Sequence, residues 1–183
     1  MQLLERVDRA VVVDAFLRAE LDSPRFAAQL RDALERAGAT EALVREADLT
    51  DATANELRHG VLQDYRGSYF GRHLDDLVWY RAALTRDEVL DIRTIAWDFW
   101  LDVTGGTRLP ADAAARFRAE GADERFVPGG PPLIVVRADP TAHLMVVEGH
   151  GRLVAIALHP EDLPAQLDVL LGEGVSIRRW GLY

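Results

Sequence analysis

Val146-Val147-Glu148-Gly149-His150-Gly151-Arg152-Leu153 joins a β-branched run to a segment with apolar residues at helical spacing. Its two glycines permit a tight turn, so the stretch predicts a strand end, a turn and a helix start. The first N–H groups of a helix have no intrahelical partner, and the helix dipole adds positive potential there. Together they make an anion site. Arg152 falls in the first turn and supplies a planar guanidinium fork. His150 can donate a hydrogen bond to a phosphate oxygen. Glu148, at the strand end, can hold Mg²⁺ or act as a base. The backbone N–H groups of Gly149 to Gly151 complete this candidate site. The plain alternative is an ordinary β–α turn with Arg152 paired to a surface acid.

Working outward, Leu133-Ile134-Val135-Val136 and Leu144-Met145-Val146-Val147 are short, β-branched and bounded by Pro128-Gly129-Gly130-Pro131-Pro132 and Asp139-Pro140. They predict two strands, and Leu167 to Gly172 predicts a last one after the helix Gly151 to Leu158. Upstream the chain reads as helices. Leu3 to Leu21 carries an apolar stripe. Ser23-Pro24 opens a helix to Arg36, which Gly38 ends. Asp51 to Asp64 buries Ala54, Leu57, Val61 and Leu62. Tyr65 to Gly71 reads as a loop and Leu74 to Leu84 as a helix. Thr85-Arg86-Asp87-Glu88 has capping-box form and opens a helix through Ile92 toward Trp100. Ala111 to Glu120 is a short helix. The composition shifts near residue 101. The expected architecture is α+β: a helical region over 1–100 packed on a small mixed-sheet region over 101–183.

The composition bounds the chemistry. The 183 residues are 49% hydrophobic and 28% charged, with a net charge of −9. That is the balance of a chain with a sizeable core. An acidic surface disfavours broad nucleic-acid binding through phosphates. There is no cysteine, which excludes thiolate metal sites and thiol nucleophiles and agrees with a cytoplasmic location. Every basic residue is arginine. P-loop lysines and Schiff-base lysines are therefore excluded. No apolar run approaches the ~20 residues of a membrane helix, and Met1-Gln2-Leu3-Leu4-Glu5-Arg6 lacks a signal-peptide layout.

Two further stretches carry candidate chemistry. In Thr104-Gly105-Gly106-Thr107-Arg108-Leu109-Pro110 the glycine pair lets backbone N–H groups approach a ligand, and Arg108 can bind a phosphate or carboxylate. Trp97-Asp98-Phe99-Trp100, with Trp79-Tyr80-Arg81 upstream, reads mainly as aromatic core. Asp98 among these rings is a candidate catalytic acid. Trp180 is expected to fold back onto the body. His59, His73, His143 and His159 show no metal-ligand spacing. Ser68 and Ser176 lie in no nucleophile-elbow context. Tyr65 to Arg72 mixes aromatics with arginines, which suits surface pairing with acids.

The strand, Glu148-Gly149-His150-Gly151-Arg152-Leu153 and a small-apolar helix resemble the ParB/sulfiredoxin-like nucleotide-binding fold. Its members carry a Gly-His-x-Arg element that cradles nucleotide phosphates at this junction. The resemblance covers roughly residues 101–172. Together with Trp79-Tyr80-Arg81 and the Thr104–Pro110 loop, the chain also resembles a bacterial group that implies no particular activity. The superfamily includes CTP-hydrolysing partition proteins, ATP-dependent sulfinic-acid reductases, an ADP-dependent serine kinase and proposed nucleases. Without cysteine the reductase chemistry is excluded. Only a short stretch follows the last strand, so a DNA-binding helix-turn-helix is not expected. The resemblance implies a site for a nucleotide (ATP, ADP or CTP) with Mg²⁺, and phosphoryl transfer or hydrolysis. Arg108 would grip the ligand from the other side. The alternatives are a non-catalytic interaction module, with the helical region as its partner surface, and a Mg²⁺-dependent nuclease.

Overall fold

The computed structural model describes residues 1–67, 73 and 75–183. Its fold is α+β, and the chain divides into two compact units, Val7–Asp76 and Met1–Arg6 with Leu77–Tyr183.

The first unit is helical. It holds α1 (Arg9–Leu21), α2 (Ala27–Arg36), α3 (Ala42–Arg45) and α4 (Ala52–Arg66). α1 begins later than the apolar stripe suggests, because Asp8 caps it by accepting from the Ala10 N–H at 2.8 Å. α2 ends as expected at Gly38, whose φ of +68° is left-handed and lets the Ala39 N–H donate back to the Leu34 carbonyl. α4 buries Val61 and Leu62 but turns Leu57 outward and Arg58 inward. Arg58 is 1% exposed and donates to the carbonyls of Leu43 and Asp48, so it ties down the chain between α3 and α4. The expected loop from Tyr65 begins later, since α4 runs to Arg66; Ser68 to Arg72 and Leu74 lie outside the described residues.

The second unit is built on a mixed sheet of order β1-β2-β5-β3-β4. Its strands are β1 (Gln2–Val7), β2 (Val78–Thr85), β3 (Leu133–Arg137), β4 (Met145–Glu148) and β5 (Gln166–Glu173). β3 runs parallel to β5, and β4 and β2 pair antiparallel to β3 and β5 respectively. The last three strands match the expectation. The first two correct it: Leu3 to Val7 and Val78 to Leu84 are extended, not helical. Val78-Trp79-Tyr80 is β-branched and aromatic, and eight consecutive residues pair with β5. Those pairs are a gain the local periodicity does not reveal. They also carry the sheet back to residue 78, so the helical unit ends near residue 76 rather than 100.

Four helices flank this sheet: α5 (Arg86–Leu90), α6 (Asp98–Val103), α7 (Pro110–Ala119) and α8 (His150–Leu158). Thr85 and Glu88 form the expected capping box. The helix they open ends at Leu90 and does not reach Trp100, because Arg93 pairs with Met145 at the outer side of β4. One face of the sheet contributes Ala82, Leu84, Leu133, Val135, Val146, Val169 and Leu171 to a core with Val89, Ile92, Leu153 and Ile156. α8 therefore packs on the Val146 face, and its first turn sits where β4 ends. Trp79, Trp100 and Trp180 are buried, as expected of core aromatics. Trp97 and Phe99 are not. Among the described residues no helix is long and apolar enough to cross a membrane.

Candidate functional site at the start of helix α8

β4 delivers Glu148 to the sheet edge, and Gly149 turns the chain. Its φ of +101° lies in the left-handed region that favours glycine. A Cβ there would sit 2.5 Å from Leu133 Cδ2 and 2.8 Å from Arg152 Nη2. Two demands thus select glycine: the turn itself, and the guanidinium that folds over it. Gly149 caps α8 without a side-chain hydrogen bond, and the first turn contains no acid. Arg152 occupies that turn instead. Its Nη2 donates to the Pro132 carbonyl at 3.3 Å and to Glu148 Oε1 at 3.5 Å, while its Nε is buried without a partner. Burial pushes the guanidinium below its ordinary value, and Glu148 pulls it back.

His150 opens the helix with its ring stacked on Trp100, centroids 5.0 Å apart and planes 17° from parallel. Burial drives its pKa down to about 3, and its Nε2 is buried without a partner. It is therefore a neutral imidazole at pH 7. From Trp100 the aromatic contacts continue outward to Phe99 (5.0 Å, edge-on) and from Phe99 to Trp97 (6.4 Å). Trp97 is 48% exposed and Phe99 47%. A line of rings thus leads from the first residue of α8 to solvent. Asp98 is exposed at the first position of α6 and separates Trp97 from Phe99 in sequence only.

The loop at Thr104 does something other than expected. Gly105 and Gly106 are both left-handed, but their N–H groups donate to the carbonyls of Asp102 and Leu101 and so close the end of α6. The Thr107 N–H donates to the Thr104 carbonyl and the Arg108 N–H to Thr104 Oγ1. All four N–H groups are used within the loop, so it offers a ligand no backbone cradle. Arg108 does not point to the α8 start. It donates to the Thr94 carbonyl at 2.7 Å and to Met145 Sδ at 3.0 Å. Met145 alternates to the face of β4 opposite Val146, the face away from α8.

The junction therefore gathers Glu148, Gly149, His150, Gly151 and Arg152, while Asp98 stands exposed at the first position of α6. It does not gather Gly105, Gly106, Thr107 or Arg108. Sequence reasoning missed Arg93, hidden inside an assumed helix, and the pairing of Trp100 with His150. The fit to a protein-held Mg²⁺ is poor. The junction offers one carboxylate, already paired with Arg152, and the described residues contain no group of three His, Asp or Glu able to hold a metal.

No protein-family model, no curated protein and no solved structure matches the chain.

Proposed function

We propose that this protein binds a nucleotide, with its phosphates at the first turn of α8. One observation carries this reading: a helix start with no side-chain cap and no acid holds the Arg152 guanidinium folded against Gly149. A cation beside the positive end of a helix dipole is unfavourable, and burial adds to that. An incoming phosphate answers both. It accepts from the free N–H groups and gives Arg152 a doubly charged partner. The exposed Trp97 and Phe99 support a nucleotide over bare phosphate, since a base stacks on such rings for about 1–3 kcal/mol each.

This chain's own residues then bind and orient. Glu148 holds Arg152 over the turn until the ligand arrives. His150 is pressed on Trp100 and neutral, so it positions the turn and offers no cation. Phosphoryl transfer with Mg²⁺ enters only as an arm of the test.

Thermal melting with ATP, ADP, CTP and GTP, each with and without Mg²⁺, tests the reading. A ligand that binds only the native state at a hundredfold excess over Kd adds about 2.7 kcal/mol of stability. One nucleotide should raise the melting temperature, Arg152→Ala should abolish the shift, and Trp97→Ala should weaken it. Phosphate release in the Mg²⁺ arm would extend the reading to catalysis. A second reading, a protein-interaction module, is favoured by the same exposed ring pair, which would make α6 in the sheet unit the partner surface rather than the helical unit. No shift with any nucleotide would select it.

A further inference from the structure

Arg93 and Arg108 meet on the other side of β4. Arg93 pairs with Met145 through its backbone, and Arg108 donates to the Met145 sulfur. Arg93 Nη1 reaches the Thr107 carbonyl at 3.4 Å, while the Thr94 N–H donates to the Arg108 carbonyl. The two side chains thus share one neighbourhood. Among the described residues neither forms an ion pair. The acid in the adjoining network, Asp112, is held by the Thr107 hydroxyl. Three hydrogen bonds engage the two forks, one of them to a thioether, a weak acceptor. Arg93 Nε is buried with no partner at all.

Electrostatics makes this a deficit. Burial first, and then Arg93, push the Arg108 guanidinium below its ordinary value; Tyr183 pulls the other way, but a tyrosine phenol carries no charge at pH 7. Arginine does not lose its proton in proteins, so the pair keeps two charges, and among the described residues neither has an ion-pair partner. The backbone adds a second deficit. Arg108 has a φ of +66°, a conformation glycine adopts freely and a long side chain does not. Two glycines precede it, so a third would complete the turn without strain. The chain instead keeps an arginine there, and strained residues of this kind cluster at ligand clamps.

We propose that Arg93 and Arg108 form a second anion site that takes a phosphate group, free or as a monoester. A phosphate carries up to two charges and several acceptor oxygens, which suits two forks better than a single carboxylate does. The site is on the opposite face of β4 from α8, and it stands whether or not α8 binds a nucleotide.

The test uses inorganic phosphate against chloride at matched ionic strength, read by thermal melting and by ³¹P line broadening. Wild type should bind phosphate saturably, and Arg152→Gln should keep one saturable phosphate site. Arg93→Gln and Arg108→Gly should each weaken that site about tenfold or more. In chloride alone Arg108→Gly should melt higher than wild type, because it removes both the left-handed strain and the like charge. If Arg93→Gln fails to fold, Arg108→Gly carries the comparison. The proposal is overturned if Arg152→Gln binds no phosphate by about 10 mM, or if Arg108→Gly binds it as wild type does. A loss confined to Arg152→Gln would assign all phosphate binding to α8 and overturn it too.

Discussion

Helices α5 and α8 belong to the same unit and begin in opposite ways. At α5 the Thr85 hydroxyl accepts from the Glu88 N–H and the Glu88 carboxylate accepts from the Thr85 N–H at 2.8 Å. Asp87 and Glu88 stand in its first turn. Its free N–H groups and its dipole are answered by its own side chains. At α8 there is a left-handed glycine, no cap, no acid and an arginine. Helix stability alone would choose the first arrangement every time. The second gives up that stabilisation and leaves donors and positive potential open at the edge of a sheet, where a ligand can supply what the chain withholds.

The contrast is sharpest at Gly149. Gly149→Ala places a Cβ against Leu133 and Arg152 at a backbone angle that alanine rarely adopts. We expect a loss of about 1–3 kcal/mol, measured as a fall in the urea midpoint with an unchanged slope. Tolerance of alanine would mean that the turn is not held left-handed and that Arg152 is not packed over it.

His150 gives the next effect, and its sign follows from its burial. The unfolded chain takes up the proton near pH 6.5, and the folded one only near pH 3. Between these values the unfolded state binds more protons, so stability falls as pH falls through the window, by at most about 1.4 kcal/mol per pH unit. His150→Phe keeps the stack on Trp100 and removes the proton, so its stability curve should be flatter there. Asp139 acts lower. Hydrogen bonds from the Thr141 side chain and then Arg178 hold it near 2, so its contribution is lost only as pH falls below 3.8 toward 2. Equal slopes for wild type and His150→Phe between pH 6.5 and 4 would show that the imidazole is not sealed against Trp100.

The capped helix provides a smaller, conventional reference. Thr85→Ala breaks the capping box and should cost about 1 kcal/mol, with no effect on any ligand. A change in nucleotide or phosphate affinity in that variant would show that the two helix starts are not independent.

Legibility followed the range of the interactions. β3, β4, β5, α8 and the Thr85 box announce themselves because a β-branched run, a glycine turn and a cap are local signals. β1 and β2 do not. Trp79-Tyr80-Arg81-Ala82-Ala83-Leu84 is extended because β5 lies beside it, and that partner is more than eighty residues away in sequence. At the junction, Glu148, Gly149, His150 and Arg152 could be read from their spacing, but the inward ring of His150 depends on Trp100, fifty residues earlier. The Thr104 loop misled for a similar reason. Glycine pairs suit a ligand cradle and a helix end equally well, and only the bonds from Gly105 and Gly106 to Asp102 and Leu101 decide between them. Arg93 was invisible until the supposed helix around it proved to be a bridge to Met145.

The smallest expected effect on stability separates a helix start left open for a ligand from one that is merely imperfect. Gly151 is exposed in the first turn of α8, and a Cβ there meets nothing within 4 Å. Gly151→Asp gives α8 the acid that α5 already has. It replaces a flexible residue and complements the dipole, so it should raise stability by about 0.5 kcal/mol. The same carboxylate would stand where we place the phosphates, beside Arg152, and should weaken nucleotide binding several-fold by charge repulsion. Opposite signs in the two measurements, a higher urea midpoint and a poorer ligand, are what an anion site requires. If stability rises and affinity is untouched, the phosphates do not sit at this turn, and the cap is absent for some reason other than binding.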